Sequence, residues 1–253
     1  MNATDSKPLP PPPPALRLTA SHKVLWGLVI LLLVAKLVEM IVHVPFHNAA
    51  QQAIFSWKSV AFFVVLALTG SGFAHVATFP GMWDEKLRVR QKVWTPLVVG
   101  IVLGVGLLAL DRASGFGHLY AAANGVSSLS LPFFYATFFQ VYAAICSAVL
   151  YNLFALSFTV WFFGTLLLAR RWPSPTFWVM ATLVSLWEPF TMASQNHWAL
   201  FHLAPVSAGI VGMLVLVYVM NLSAAILLRR FGFTAALVMW VSANLVWHII
   251  GKF

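Results

Sequence analysis

Glu188 is the only acid after Asp111, and it stands beside Pro189 inside an apolar run. An ionisable side chain at membrane depth is costly and is a functional candidate by default. Pro189 brings no N–H, so it leaves a backbone carbonyl free in the preceding turn. A carboxylate in such a place must be paired or hydrogen-bonded. Asn196, His197, His202, Asn244 and His248 are the polar residues that could serve it. Hydrolytic chemistry needs a base within hydrogen-bond reach of a water. Glu188 is therefore a candidate base, and a ligand or catalytic site would draw its other groups from these five residues. Imidazole is a common metal ligand, which makes His202 and His248 candidate metal ligands. Two histidines supply half of a tetrahedral site. The spacing alone leaves both a structural polar knot and a ligand or catalytic site open.

A second polar group lies near the start. Lys36, Glu39 and His43 fall at spacings of three and four and share one helix face. An ion pair that neutralises this stripe is the expected outcome. His47 follows at a further four, but Pro45 interrupts the helix between the two histidines. His75 reads as a structural histidine at a Gly-rich span end. Cys146 is the single cysteine, which excludes an intrachain disulfide and a cysteine-based metal site. It is expected to be a small buried hydrophobe.

The elements that must position these residues follow from composition. Of 253 residues, 61% are hydrophobic and 8% are charged, whereas soluble domains carry roughly 25% charged residues. Lipid is the solvent such a surface requires. A bilayer core of ~30 Å needs about 20 apolar residues per helix. The apolar runs are 24–44, 59–79, 94–110, 131–169, 176–195, 199–228 and 233–251. Run 131–169 is long enough for an interfacial piece plus a crossing, or for two crossings. Run 199–228 holds Pro205 and has room for a bent or re-entrant start. Open sheets are excluded in lipid, because every backbone group must be bonded within its own segment. The expectation is an all-α polytopic transmembrane bundle of about seven spans, within a range of six to eight. Gly100, Gly104 and Gly106 suit close helix contact.

The net charge of +9 is not a nucleic-acid signature here, because the basic residues sit in short clusters between apolar runs. They act as topology signals beside anionic headgroups. With the N-terminus in the cytoplasm and one crossing per run, the cytoplasmic side holds four clusters. These are Lys7, Arg17 and Lys23; Lys86, Arg88, Arg90 and Lys92; Arg170 and Arg171; Arg229 and Arg230. Together they make up 11 of the 15 Lys and Arg residues. Two crossings in 131–169 would break that agreement, so seven spans are favoured. Residues 1–22 form a polar tail with five consecutive prolines, Pro10 to Pro14. Such a stretch favours an extended, solvated conformation. The transmembrane domain is expected over 23–253, in a bacterial inner (plasma) membrane.

The C-terminal 60 residues carry a further pattern. Arg229, Arg230 and Gly232 precede Phe233-Thr234-Ala235-Ala236, and the run continues through Trp240, Asn244 and His248. This resembles the CPBP (Abi) family of intramembrane endopeptidases, with a CPBP-like core over roughly 131–251. In that family a catalytic His lies eight residues after the Gly and Asn or Asp four further on. The resemblance puts Trp240 at the His position and Asn244 at the Asn position. Trp198-Ala199-Leu200-Phe201-His202 is similar to the family's second motif, Phe-x-x-x-His, with Trp for Phe. An alternative alignment uses Phe190 to Ser194 and supplies no histidine. The family's first motif, Glu-Glu-x-x-x-Arg, would fall at roughly 151–171, where this chain has no acid. An indole donates a hydrogen bond and accepts none, so Trp240 cannot act as a base.

The expected function is that of a non-catalytic membrane protein. Its cavity would bind a membrane-protein partner or a lipid, or it would serve as a complex subunit in the bilayer. Two alternatives stand beside it. One is an active membrane peptidase or other enzyme built on Glu188 and His202. The other is a transporter, or a metal-, haem- or pigment-binding subunit. No cofactor is assigned by the sequence.

Overall fold

Backbone groups with no water to bond must bond along their own segment, which helices allow. The computed structural model describes residues 20–42, 49–84, 86–117, 132–194 and 208–250, and among them there is no strand. The helices are α1 (Ala20–Val42), α2 (Ala49–Ile54), α3 (Trp57–Val76) and α4 (Arg90–Ser114). They continue with α5 (Phe133–Leu167), α6 (Pro173–Ser194), α7 (Ala208–Phe231) and α8 (Phe233–His248). The short α2 has no counterpart among the expected runs.

Among the described residues, five helices are long and apolar enough to cross a membrane: α1, α3, α4, α5 and α7. The remaining two long apolar runs are also helical, but they differ in kind. In α6 the apolar run is diluted by Glu188, Pro189 and several hydroxyl residues. The apolar stretch of α8 starts only after the Gly232 turn and spans about 24 Å at 1.5 Å per residue, short of the ~30 Å core. Within run 131–169, Phe133–Leu167 is one continuous helix of 35 residues. It neither turns back nor breaks, so it does not hold two crossings. At ~52 Å it exceeds the hydrocarbon core, which a helix accommodates by tilting or projecting.

The five are not equal. Of the best apolar window in α5, 56% is buried, against 44% in α7 and 22% in α1 and α4. α5 and α7 are thus the centre, and α1 and α4 present Ile41, Val102 and similar side chains outward. α3 packs on α5, α6 on α7, and α4 on α8. The α4–α8 approach depends on the two glycines at GxxxG spacing. A Cβ at Gly104 would sit 2.7 Å from the Ala243 carbonyl oxygen, and one at Gly100 would sit 2.5 Å from that of Met239.

Four helix ends meet on one face. Ser21 Oγ, at the start of α1, donates to the Trp83 carbonyl and accepts from its N–H, both at 3.2 Å. Thr234, at the start of α8, donates from its hydroxyl to the Met82 carbonyl. Arg170 Nη2, after α5, donates to the Val76 carbonyl at 3.2 Å. Lys92 is buried, donates to the Asp84 carbonyl at 2.9 Å and lies 3.9 Å from the Trp83 ring. Gly232 has φ 83°, and a Cβ there would collide with the Gly81 carbonyl. The turn between α7 and α8 therefore requires glycine. This face carries Lys23, Lys86, Arg88, Arg90, Lys92, Arg170, Arg171, Arg229 and Arg230.

Candidate functional site

The interior polar residues cluster halfway along the central helices. In α5 the hydrogen-bond ladder widens to i→i+5 over Ala148–Leu156, a rare geometry often found at functional positions. Tyr151 and Asn152 lie in this stretch. Asn152 Oδ1 accepts a 2.8 Å hydrogen bond from Trp240 Nε1 of α8, and both side chains are 2% exposed. The indole also lies nearly parallel to the Tyr151 ring, with centroids 6.5 Å apart. An indole N–H in an apolar core must find an acceptor, and Asn152 is that acceptor.

Glu188 belongs to the same layer. Its Oε2 accepts a 2.6 Å hydrogen bond from Asn221 Nδ2 of α7. The same amide donates to the Val217 carbonyl at 3.1 Å. Asn221 Oδ1 is buried and has no hydrogen-bond partner. Thr191 Oγ1 donates to the Glu188 carbonyl at 2.9 Å, which occupies an acceptor beside the Pro189 break. The Tyr151 hydroxyl contacts Thr191 and lies within electrostatic reach of Glu188. The layer thus joins α5, α6, α7 and α8 through Tyr151, Asn152, Glu188, Thr191, Asn221 and Trp240.

The remaining candidates fall as follows. Asn244 Nδ2 donates to the Trp240 carbonyl, 2.9 Å away on its own helix, and the residue is buried. His248 stacks on Trp247 at 4.1 Å, and Trp247 Nε1 donates to Asp111 Oδ2 at 3.3 Å. His248 is therefore tied to the end of α4 that holds Asp111, two turns beyond Trp240. The structure brings Glu188 to Asn221, and joins it to neither Asn244 nor His248. His202, His197, Asn196, His43 and His47 lie outside the described residues. Among the described residues, no three His, Cys, Asp or Glu side chains gather as a metal site. Lys36 Nζ and Glu39 Oε2 form the expected ion pair at 2.5 Å. Cys146 is buried.

Asn152 and Asn221 were not singled out by the sequence. A signal for them exists, because Asn221 is the one amide in an otherwise apolar helix, and such a residue in lipid seeks a partner on a neighbouring helix.

Taken together, the fold and this layer define an all-helical bundle of membrane type with a polar layer inside it. No family model, curated protein or solved structure matches the chain.

Proposed function

We propose that the chain is a non-catalytic polytopic membrane protein, a degenerate relative of the CPBP intramembrane proteases that acts as a binding partner or complex subunit in the bilayer. The observation that carries the reading is how the candidate groups of the interior layer are already engaged. Trp240 is spent on Asn152, Asn244 on its own helix, and the Glu188 carboxylate on Asn221. At the position of the family's catalytic His stands an indole, which accepts no proton, and the catalytic rate of a cooperating group falls away when members are lost. The resemblance gains support from one juxtaposition. Trp240, at the motif's His position, meets Asn152, in the stretch where the motif's acid pair would stand.

The reading includes seven crossings with the N-terminus in the cytoplasm. Its support is the common face on which the starts of α1, α4, α6 and α8 and the ends of α3, α5 and α7 gather with their Lys and Arg residues. An excess of such residues marks the cytoplasmic side.

An active membrane enzyme centred on Glu188 is the second reading, favoured by the unpartnered Asn221 Oδ1 beside the carboxylate. The test separates the two. The purified chain in nanodiscs is incubated with prenylated and transmembrane peptides. No cleavage is expected. Cleavage that Glu188→Gln or His202→Ala abolishes would establish the second reading.

A further inference from the structure

On the basic face, away from the interior layer, the ends of α3, α5 and α7 and the start of α6 enclose a cavity of about 290 Å³. Ligand pockets begin at about this size. Its rim carries two guanidinium groups, Arg170 from the α5–α6 turn and Arg229 from α7. Its depth is apolar, formed by Val160, Gly164, Phe79 and Phe177.

Both arginines are held in place without being neutralised. Arg229 lies over the Phe177 ring at 4.3 Å, and its Nη2 donates weakly to Ser174 Oγ at 3.4 Å. Phe177 is in turn fixed edge-on against Phe79. Arg170 uses Nη2 on the Val76 carbonyl. Among the described residues the ion pair is Lys36–Glu39, far from this rim, and neither arginine has a carboxylate partner. Each guanidinium carries five N–H donors, so most remain unused. The hydroxyls of Thr78 and Thr165, which also line the cavity, make no hydrogen bond among the described residues.

The backbone is strained at the same place. Thr78, Ala169 and Arg170 are the non-glycine residues with positive φ among those described, at 62°, 46° and 61°. Two of the three line the cavity and the third adjoins it. These residues end α3 and α5, where a left-handed residue commonly closes a helix, and a β-branched residue in that conformation is an outlier. The strained turn is pinned by the Arg170 N–H, which donates to the Gly164 carbonyl at 2.9 Å.

We propose that this cavity binds a phosphate oxyanion at the membrane surface, gripped by Arg170 and Arg229. Guanidinium forks match phosphate oxygens in geometry and charge. The two threonine hydroxyls add neutral donors, and the apolar depth takes the first carbons of whatever carries the phosphate. The ligand class is an anionic phospholipid headgroup or a free phosphate ester. The site does not depend on whether the interior layer is catalytic.

The test uses the full chain in phosphatidylcholine nanodiscs, titrated with phosphatidylglycerol and, separately, with inorganic phosphate, with retention read by native mass spectrometry. Arg170→Gln/Arg229→Gln should weaken phosphatidylglycerol retention about tenfold or more. Arg171→Gln/Arg230→Gln removes the same charge one residue away and should weaken it less than about threefold, as screened surface charge does. Thr165→Leu keeps both arginines, removes a donor hydroxyl and crowds the cavity, so it should weaken binding while the fold survives. Displacement of the lipid by inorganic phosphate would identify the oxyanion alone as the ligand. Phosphatidylglycerol held against phosphate would identify the lipid. Equal losses in the two double variants, or wild-type retention in Thr165→Leu, would overturn the proposal.

Discussion

The interior layer and the cavity at the basic face treat polar groups in opposite ways. Inside, the side chains are bonded in two interhelical pairs, Trp240 to Asn152 and the Asn221 amide to Glu188. At the face, Arg170 and Arg229 are positioned by a carbonyl and a ring, with their charge left open. The difference follows from the solvent. In hydrocarbon an unmet donor costs free energy, so helices close their polar groups on each other. At the headgroup level water and phosphates are at hand, so a guanidinium can wait for a ligand. Two buried oxygens among the described residues depart from this division, Asn221 Oδ1 and the Tyr142 hydroxyl.

The contrast can be strained most by removing the packing beneath the interior layer. Gly104→Leu would push α8 away from α4 against the Ala243 backbone and carry Trp240 with it. Overpacking typically costs about 1–3 kcal/mol, and a backbone obstacle puts this variant at the upper end. Reduced yield and a lowered unfolding temperature in nanodiscs are expected.

The next largest effect lies in the Asn152–Trp240 pair. Trp240→Phe or Asn152→Leu should each destabilise by about 1–2 kcal/mol, because the remaining partner is left buried and unmet. The double variant should cost less than the sum. Interhelical hydrogen bonds in membranes average about 0.6 kcal/mol and reach about 1.7, so a coupling near the upper figure is expected for so buried a pair. A double-mutant cycle in steric-trap or denaturant unfolding measures it, and strict additivity would mean that the bond does not lock α5 to α8.

Glu188→Gln should move stability by less than about 1 kcal/mol, since an amide carbonyl still accepts from Asn221. Glu188→Leu leaves that amide short of an acceptor and should cost more. Equal costs would indicate that the carboxylate does something beyond accepting this bond. The smallest effect is on stability at the basic face itself. Cysteines replacing Lys86 or Arg171 should both be labelled by an impermeant maleimide from the cytoplasmic side, and one replacing Lys58 from the other, with folding unchanged. Labelling of both sets from one side would refute seven crossings.

Much of the bundle is legible in the sequence because apolar length and basic clusters are local signals. The Lys36–Glu39 pair is equally legible, since its partners share one helix turn. The partner of Glu188 is not. Asn221 is 33 residues away, and Trp240 and Asn152 are 88 apart. No spacing rule links residues on different helices, so Asn196, His197, His202, Asn244 and His248 stand as candidates by residue type, while Asn221, nearer in sequence to Glu188 than Asn244 is, goes unnoticed. The cavity was hidden for a related reason. The basic pairs at 170–171 and 229–230 read alike, yet only the first arginine of each lines it. Which member turns inward depends on the strained turn after α5 and on the Phe177 ring under Arg229. The difference in kind between α6 and the other long helices was legible as Glu188 and Pro189, though not as a change in the number of clearly apolar helices.

The division of labour between interior and face can be measured in one experiment. The unfolding temperature of the chain is recorded in phosphatidylcholine nanodiscs with and without added phosphatidylglycerol, for three proteins: wild type, Glu188→Gln and Arg170→Gln/Arg229→Gln. The anionic lipid should raise the unfolding temperature of wild type and Glu188→Gln alike, and leave the double arginine variant unchanged. A lipid-induced rise that survives in the double arginine variant and disappears in Glu188→Gln would contradict the account, because it would place the ligand in the interior layer.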